Sequence, residues 1–505
     1  MSARVRVRFA PSPTGPLHIG GVKTALLNYL FAKKNKGDFI LRIEDTDQSR
    51  FVPGAEEYID EALEWLGLIP DEGIKQGGSF GPYRQSERKE IYRKYADELV
   101  NTGWAYFAFD TPEELEKLRT EAEKKNETFS YDSSIRERLN NSLVLGEDKT
   151  NQKIKAGEPY VIRFHMPENI EIQARDIIRG EIRFNTSTLD DKVIFKSDGL
   201  PTYHLANVVD DHLMEITHLI RGEEWLPSLP LHIMLYKAFN WESEMPQFAH
   251  QSLILKPSGQ GKLSKRDGDQ LGFPVFPIEW RSPNGDISTG YRESGYFPEA
   301  VVNILAMLGW NPGTEQEVFT MQELIEAISL ERVTKAGARF DPEKARWFNQ
   351  QHLQRKSNGE LAKMFNPILL EKGIKRDMDY IEKVVALVKE RAVFVNDLWE
   401  QSSFFFLPPE SFDEKACKKF WKEDAPRLVT ECLEIFKKAE SFSAPDLEES
   451  IKSYIEGNNM GFGKVMNPLR LTIVGASMGP RLFDIMEMIG KDETVKRIQR
   501  ALSIL

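Results

Sequence analysis

Cysteine is nearly absent: the 505 residues hold two, Cys417 and Cys432. Two thiols supply no disulfide framework and no metal-binding spacing, so a reduced compartment is expected. Long apolar runs are also missing, which excludes a helix built to cross a membrane. The first twenty residues read as a strand and a Pro/Gly loop without an apolar targeting core, so a cytoplasmic location is expected. There is no fixed-period repeat, no low-complexity linker and no Gly-x4-Gly-Lys-Ser/Thr phosphate loop. Nor is there an excess of basic charge, since 67 Lys and Arg face 78 Asp and Glu for a net charge of −11. Nucleic-acid binders usually carry a basic face, but net charge is a surface average and leaves room for a local basic stripe. The length exceeds one hydrophobic core and predicts about three to four abutting domains.

What is present is concentrated near the start. Val5, Val7 and Phe9 alternate with Arg4, Arg6 and Arg8, the period-2 pattern of a strand with one buried face. Ala25, Leu26, Leu27, Leu30 and Phe31 recur at helical spacing up to Lys36-Gly37, and Phe39 to Ile43 read as a second strand ending in Glu44-Asp45. Such a strand–helix–strand unit builds a parallel sheet. The connecting loop, Pro11-Ser12-Pro13-Thr14-Gly15-Pro16-Leu17-His18-Ile19-Gly20-Gly21, is stiffened by prolines and delivers His18, Gly20 and Gly21 to the helix start. Unpaired N–H groups and the positive end of the helix dipole suit an anion there. The glycines admit a phosphate and His18 has a donor for its oxygens. Taken alone, the stretch reads equally well as a tight turn with a satisfied histidine.

Further along, Ala55–Leu66 is predicted as an amphipathic helix, and Ser86 as the cap of another that ends at Gly103. From Trp104 to Asp190 the texture changes. A highly charged helix over 111–125 has Thr111 and Glu114 spaced for a capping box, and short alternating strands such as Tyr160–Phe164 follow. This reads as an insertion into the parallel sheet, which is expected to resume at Val193–Lys196. A helix over 229–239 and a short strand Leu253–Leu255 come next. Residues 259–268 form a glycine-rich, mobile loop, and Pro274–Thr289 reads as an irregular surface excursion. Beyond Tyr296 amphipathic helices are predicted over 298–308, 321–327, 359–372, 378–398, 425–439, 445–456, 481–489 and 492–502.

Two groups of residues carry candidate chemistry. Lys262, Lys265 and Arg266 place three cations on a glycine-rich loop after an apolar strand, where ligands sit in open parallel sheets. A lysine ammonium on its flexible stem suits a moving phosphate; the plain alternative is a solvated basic loop. The second group is Arg8, Glu44, Tyr203, Asn207, Arg221 and Glu224, each beside an apolar segment. An arginine fork matches a carboxylate and Glu44 suits an ammonium, so together they fit an acidic amino acid. Asp210, Asp211 and His212 have no second ligand cluster at metal spacing, and the two carboxylates read as strand-end or helix-cap groups. His204 reads as a packed or capping histidine, and no metal site is expected.

Arg8–Gly21 resembles the first signature of class I aminoacyl-tRNA synthetases in its glutamyl-tRNA synthetase form. Lys262-Leu263-Ser264-Lys265-Arg266 resembles the second, with Leu for the commoner Met. Arg42–Asp47, Tyr203–His212, Ile220–Trp225 and Phe297–Trp310 resemble the same family in order, so the likeness covers essentially the whole chain. It implies an α/β Rossmann-like doubly wound catalytic domain (1–103 and 191–255) with an α+β insertion (104–190) for the tRNA acceptor end. A connecting region (256–340) would hold the lysine loop, and an all-α anticodon-binding domain of two subdomains (341–505) would follow. The implied reaction is ATP-dependent ligation of L-glutamate to the 3′ end of tRNA(Glu) through a glutamyl-adenylate, with Mg2+. No zinc is implied, because the cysteines that some relatives carry in the insertion are missing from Tyr106–Phe109 and Tyr131–Ser134.

Carried over residue by residue, the resemblance implies His18, Lys262 and Lys265 as catalytic. It implies His18, Gly20, Glu224, Leu255, Lys262, Lys265 and Arg266 as ATP-binding, and Arg8, Ala10, Ser12, Glu44, Tyr203, Asn207 and Arg221 as glutamate-binding. Arg391 is implied as an anticodon reader, and the family favours a monomer. Three readings compete. A glutaminyl-tRNA synthetase tends to have Pro and Glu where Ala10 and Ser12 stand, and β-barrels where this C-terminal third is helical. A nucleotidyltransferase of the same superfamily leaves residues 341–505 without a role. A catalytically dead RNA-binding paralogue has no need to keep His18, Glu44, Arg221 and Lys265 together.

Overall fold

β1 (Arg6–Phe9) and β2 (Asp38–Leu41) pair in parallel on either side of α1 (Ile19–Lys34) in the chain, with Val7 opposite Phe39 and Phe9 opposite Leu41. The computed structural model describes residues 4–505, apart from the side chains of Lys265 and Asp269. The exposed arginine face expected on β1 does not exist, since all four residues are buried. Arg6 pairs with Asp38 and Glu72 at 2.9 and 2.7 Å, and Arg8 with Asp211 at 3.0 Å. Period 2 identifies the strand but not its surroundings: a guanidinium is buried where carboxylates from elsewhere in the chain meet it.

α2 (Ala55–Trp65) and α3 (Lys89–Asn101) follow. Ser86 sits within a short 3-10 turn before α3 rather than at its cap, and its N–H donates to Asp45 Oδ1 at 2.8 Å. The stretch read as an insertion, 104–190, and the strand after it run through β3 (Ala105–Ala108), α4 (Pro112–Lys124), α5 (Ser142–Lys155), β4 (Val161–Phe164), β5 (Glu171–Asp176), β6 (Gly180–Asn185) and β7 (Val193–Phe195). Thr111 and Glu114 close the capping box of α4, and no residue of that helix is buried. β3, β4 and β7 form an antiparallel sheet in that order. Val193–Phe195 therefore completes the insertion's sheet instead of resuming the parallel one. A run of three apolar residues says that a strand is present, not which sheet it joins.

The parallel arrangement resumes after α6 (Tyr203–Leu213), with β8 (His218–Gly222), α7 (Leu229–Ala238) and β9 (Gln247–Gln251). β8 and β9 pair in parallel, and β5 joins β9 through Asp176 and Phe248, giving a mixed sheet of order β6-β5-β9-β8. Thr217, just before β8, donates its N–H to the Arg6 carbonyl at 2.9 Å, which ties this sheet to β1. Asp210 and Asp211 are neither strand ends nor caps; they lie buried in the later turns of α6. Tyr92, Ile162, Leu205 and Leu235 belong to one apolar cluster that joins α3, the insertion, α6 and α7.

β10 (Ile254–Leu255), α8 (Lys265–Leu271), β11 (Trp280–Arg281), β12 (Ile287–Ser288), α9 (Pro298–Met307), α10 (Met321–Ala327) and β13 (Ala338–Arg339) complete the first of two units, which ends at Ala345. The lysine loop is not loop throughout, because Ser264 and Asp267 make a capping box that starts α8. Nor is 274–289 a surface excursion. β11 and β12 form a hairpin, and Val275, Phe276, Ile278 and Trp280 are buried. Ile19 donates its N–H to the Val275 carbonyl at 3.0 Å and Tyr58 its hydroxyl to Ile278 at 2.7 Å.

The second unit, Arg346–Leu505, is helical. It takes in most of α11 (Pro342–Arg355), then α12 (Asn358–Glu371), α13 (Met378–Val388), α14 (Asp397–Phe406), α15 (Glu414–Phe420), α16 (Ala425–Lys438), α17 (Ala444–Gly457), α18 (Phe462–Val474), α19 (Leu482–Ile489) and α20 (Lys491–Ile504). The helix expected over 378–398 divides after Val388. A 3-10 turn over Lys389–Arg391 follows, and Asp397 then accepts the N–H groups of Val393 and Phe394 at 2.8 Å, fixing the new start.

Candidate active site

A cleft of about 710 Å³ opens where the loop before α1, the ends of β8 and β9 and the loop before α8 meet. Its wall brings together Arg8, Ala10, Ser12, His18, Gly20, Glu44, Tyr203, Arg221, Glu224 and Lys262. Asn207 lies behind the wall, buried, and donates its amide to Glu44 Oε1 at 3.3 Å. Leu253 and Ile254 line the cleft where Leu255 was expected, and Arg266 is exposed outside the wall. Lys265 opens α8, but its side chain lies outside the described residues. Arg391 belongs to the other unit, exposed on the 3-10 turn after α13.

One end of the cleft is a lattice of buried charge. Arg8 grips Asp211 with Nε and Nη2 at 3.0 and 3.2 Å, leaving Nη1 for a ligand. Arg42 reaches Asp211 at 2.8 Å and Glu44 Oε1 at 3.0 Å. Burial alone would depress both guanidinium groups, yet Asp211 holds each above its ordinary value. Burial pushes Glu44 up, with Arg42 and Arg8 pulling it back. Asp211 is the converse case: burial favours its acid form, but Arg8 and Arg42 outweigh that and keep it below the usual carboxylate value. Glu44 Oε1 is already shared by Arg42 and Asn207, so Oε2 is left to meet an ammonium.

Arg221 is fixed on three sides. Nε donates to His250 Nε2 at 2.9 Å, Nη1 to the Tyr203 hydroxyl at 2.8 Å and Nη2 to the Trp225 carbonyl at 3.4 Å. A guanidinium has five N–H groups, so one on each terminal nitrogen remains. Beside it, the ring of Trp225 lies 4.3 Å from that of Tyr203 and is 39% exposed, a flat apolar surface in the cleft wall.

The other end is the start of α1. His18 caps the helix by accepting the Gly20 N–H on Nδ1 at 3.1 Å. The proton of the neutral ring is therefore on Nε2, which is buried without a hydrogen-bond partner among the described residues. Burial, with a smaller push from Lys262, lowers His18 to about 4, so the ring is neutral at pH 7. A neutral donor beside a helix start is fitted to an anion's oxygen. Lys262 stands nearby, 3.5 Å from Glu224, both partly exposed. Lys23, in the second turn of α1, is buried in the cleft floor, and burial lowers its ammonium to about 8.

The sequence reading missed Asp211, Arg42, Lys23, Trp225 and His250 as parts of this site. For Asp211 a signal existed: Tyr203, Asn207 and Asp211 are four residues apart and so share one helix face. For His250 none did, since its partners Asp176 and Arg221 are far away in sequence.

A family model described as tRNA synthetases class I (E and Q), catalytic domain, matches residues 4–347, and one described as anticodon binding domain matches 360–502. The glutamate–tRNA ligase of Flavobacterium johnsoniae is 59% identical over 505 residues, and that of Porphyromonas gingivalis 58% over 507, each alignment covering all of both chains. The crystal structure of a glutamate tRNA ligase from Elizabethkingia meningosepticum in complex with its amino acid superposes with a TM-score of 0.96 at 54% identity. It covers 99% of this chain and all of that one.

Proposed function

The chain belongs to the class I tRNA synthetases of the glutamate and glutamine branch, and we propose that it is a glutamate–tRNA ligase. It activates L-glutamate with ATP and transfers it to the 3′ end of tRNA(Glu). The observation that carries this reading is the cleft itself: two arginines and Glu44 at one end, a neutral histidine donor on a helix start at the other. Glutamate fits the first end, its side-chain carboxylate on the free donors of Arg8 and Arg221 with the Tyr203 hydroxyl, its ammonium on Glu44 Oε2 and Ser12, with Ala10 against its backbone. ATP fits the second, with phosphates at His18 and Gly20 and the base near Trp225, Glu224 and the Leu253–Leu255 strand.

In the first step the α-carboxylate oxygen of glutamate bonds to the α-phosphorus while the bond to the bridging oxygen breaks and pyrophosphate leaves with that electron pair. A ribose hydroxyl of the tRNA end then attacks the carbonyl carbon, losing its proton, and AMP departs. The chain supplies no nucleophile. His18 Nε2–H donates to phosphate oxygens, and Lys262 and Lys265, with Arg266 beside them, offset the charge that builds on the leaving group. Magnesium belongs to the triphosphate in this reading, as it commonly does when substrate phosphates bind it. Glutamine is rejected because its amide would turn N–H donors toward guanidinium groups that have no acceptor. Sites built on polar pairing discriminate by about 10⁴ or more.

Residues 104–190 contact the acceptor end in this reading, 256–340 connect and carry the lysine loop, and 341–505 read the anticodon through groups such as Arg391. The enzyme works as a monomer in the cytoplasm; no described helix is long and apolar enough to cross a membrane. The test is charging of purified glutamate and glutamine tRNAs with labelled glutamate and, separately, labelled glutamine. Glutamate is expected on tRNA(Glu). Glutamine on either tRNA overturns the assignment of the pocket, and charging of neither by folded protein overturns the activity.

A further inference from the structure

We propose that His250, oriented by Asp176, is a positioning residue for amino-acid recognition: it sets the guanidinium of Arg221 and does so only as a neutral imidazole. The inference rests on the reading of Arg221 as a glutamate ligand. His250 is fully buried on β9 and does not line the cleft. Its Nε2 lies 2.9 Å from Arg221 Nε and its Nδ1 2.6 Å from Asp176 Oδ2. Arginine nitrogen only donates, so Nε2 must present its lone pair and the proton must sit on Nδ1, where the carboxylate accepts it. Geometry on both sides thus selects one tautomer.

Asp176 is itself held. Its Oδ1 accepts the N–H groups of Ile178 and Arg179 at 2.9 and 2.8 Å, and the carboxylate also accepts the His250 N–H. Asp176 ends β5, so the insertion reaches under the floor of the amino-acid end. With Nε on His250 and Nη1 on Tyr203, the Arg221 fork is clamped and its two remaining N–H groups have fixed directions. Protonation of Nε2 would set N–H against N–H and break the clamp. The charged and titratable groups around the ring are Asp176 on β5, Arg179 in the turn after it, Arg221 on β8 and His232 on α7. Burial, against Asp176, lowers His250 below its ordinary 6.5, so the neutral form prevails at pH 7.

The experiment compares H250L, H250Q and R221A in the whole enzyme, with tRNA present, measuring KM for glutamate and ATP and the pH profile of kcat/KM for glutamate. H250L leaves Arg221 Nε without an acceptor and is expected to raise the glutamate KM about ten- to a hundredfold, the scale of one hydrogen bond to a charge, with the ATP KM unchanged. H250Q offers an amide oxygen that does not titrate. It should keep most of the glutamate affinity and lose the acid-side fall expected of wild type below the ordinary histidine value of 6.5. Equal changes in both KM values for H250L, or an unaltered acid limb in H250Q, overturn the proposal. If H250L fails to fold, the pH profile of H250Q decides. A normal glutamate KM in R221A removes the pocket reading and this inference with it, whereas a damaged R221A beside a normal H250L removes the inference alone.

Discussion

His18 does two jobs with two nitrogens. Nδ1 accepts from Gly20 and starts α1, while Nε2 is buried without a hydrogen-bond partner among the described residues. From the sequence, His18 at the helix start read as a donor for an anion or, equally well, as a satisfied histidine. The fold separates the two readings by nitrogen: Nδ1 is satisfied by Gly20, and Nε2 has no hydrogen-bond partner among the described residues. H18A should slow adenylate formation about 10²–10³-fold, the scale for one preorganised donor, and cost about 1 kcal/mol of stability through the lost cap. Single-turnover activation with tRNA present checks the first, and denaturant unfolding the second. The glutamate KM should stay put, since Arg8 and Arg221 lie at the other end. The sign of the pH effect follows from the value near 4. A histidine depressed in the folded state gives stability that is whole above its ordinary 6.5 and lost as pH falls through the folded value. Its protonation therefore cannot shape activity between about pH 6 and 8, and a His18-dependent titration in that window would contradict the assignment.

At the scale of the element, α6 puts Tyr203 in the cleft wall and backs the charged end with Asn207, Asp210 and Asp211. Tyr203, Asn207, Asp210 and Asp211 fall at i, i+4, i+7 and i+8, and their polar groups meet Arg221 of β8, Glu44 after β2, Arg88 before α3, and Arg8 of β1 with Arg42. Leu205, Ala206, Val208 and Val209 are buried as well. A helix that is apolar on one side and buried on both gives no clean amphipathic stripe, which is why Asp210 and Asp211 read as termini. Arg6 was given the outer face of β1 for the matching reason: each partner of a buried ion pair looks solvent-facing until the other is known. D211N would leave Arg8 and Arg42 short of one buried charge and should cost about 3–5 kcal/mol in urea unfolding at pH 7. Asp211 is held below its ordinary 3.8. A carboxylate depressed in this way stabilises fully above 3.8 and loses that only as pH falls through the lower folded value. The deficit of D211N should therefore be constant from about pH 5 to 8. A deficit under 1 kcal/mol, or one that vanishes by pH 5, would mean the lattice tolerates the neutral group.

Across the whole chain, the ordered motifs named residues that the structure gathers along one cleft, His18, Glu44, Arg221 and Lys262 among them, while net charge pointed mildly the wrong way for an RNA-binding family. Net charge is a total over the chain: −11 coexists with Arg391 and Arg470, two arginines that feel each other's charge in the helical unit. In the helical unit the apolar spacing of 378–398 ran straight through a break that the structure places after Val388, because hydrophobic period is carried across a 3-10 turn of three residues. That break is what presents Arg391. It lies near Arg470 of α18, whose Nη1 is buried without a hydrogen-bond partner among the described residues. Burial, and then the charge of Arg391, depress Arg470 from its ordinary value. Two guanidinium groups that feel each other's charge gain from an acceptor between them, which in the proposed reading a base edge or a phosphate of the anticodon loop would supply. R391A is therefore expected to lower kcat/KM for tRNA about ten- to a hundredfold at fixed salt, the scale of one base contact, with the KM for glutamate and ATP unmoved. If Arg391 reads a base, the loss should shrink on a tRNA(Glu) transcript whose anticodon base is replaced, since that contact is already gone. If it holds a phosphate, the loss should be uniform across anticodons and weaken the salt dependence of binding. An R391A enzyme that charges tRNA as well as wild type would place anticodon reading elsewhere in the helical unit.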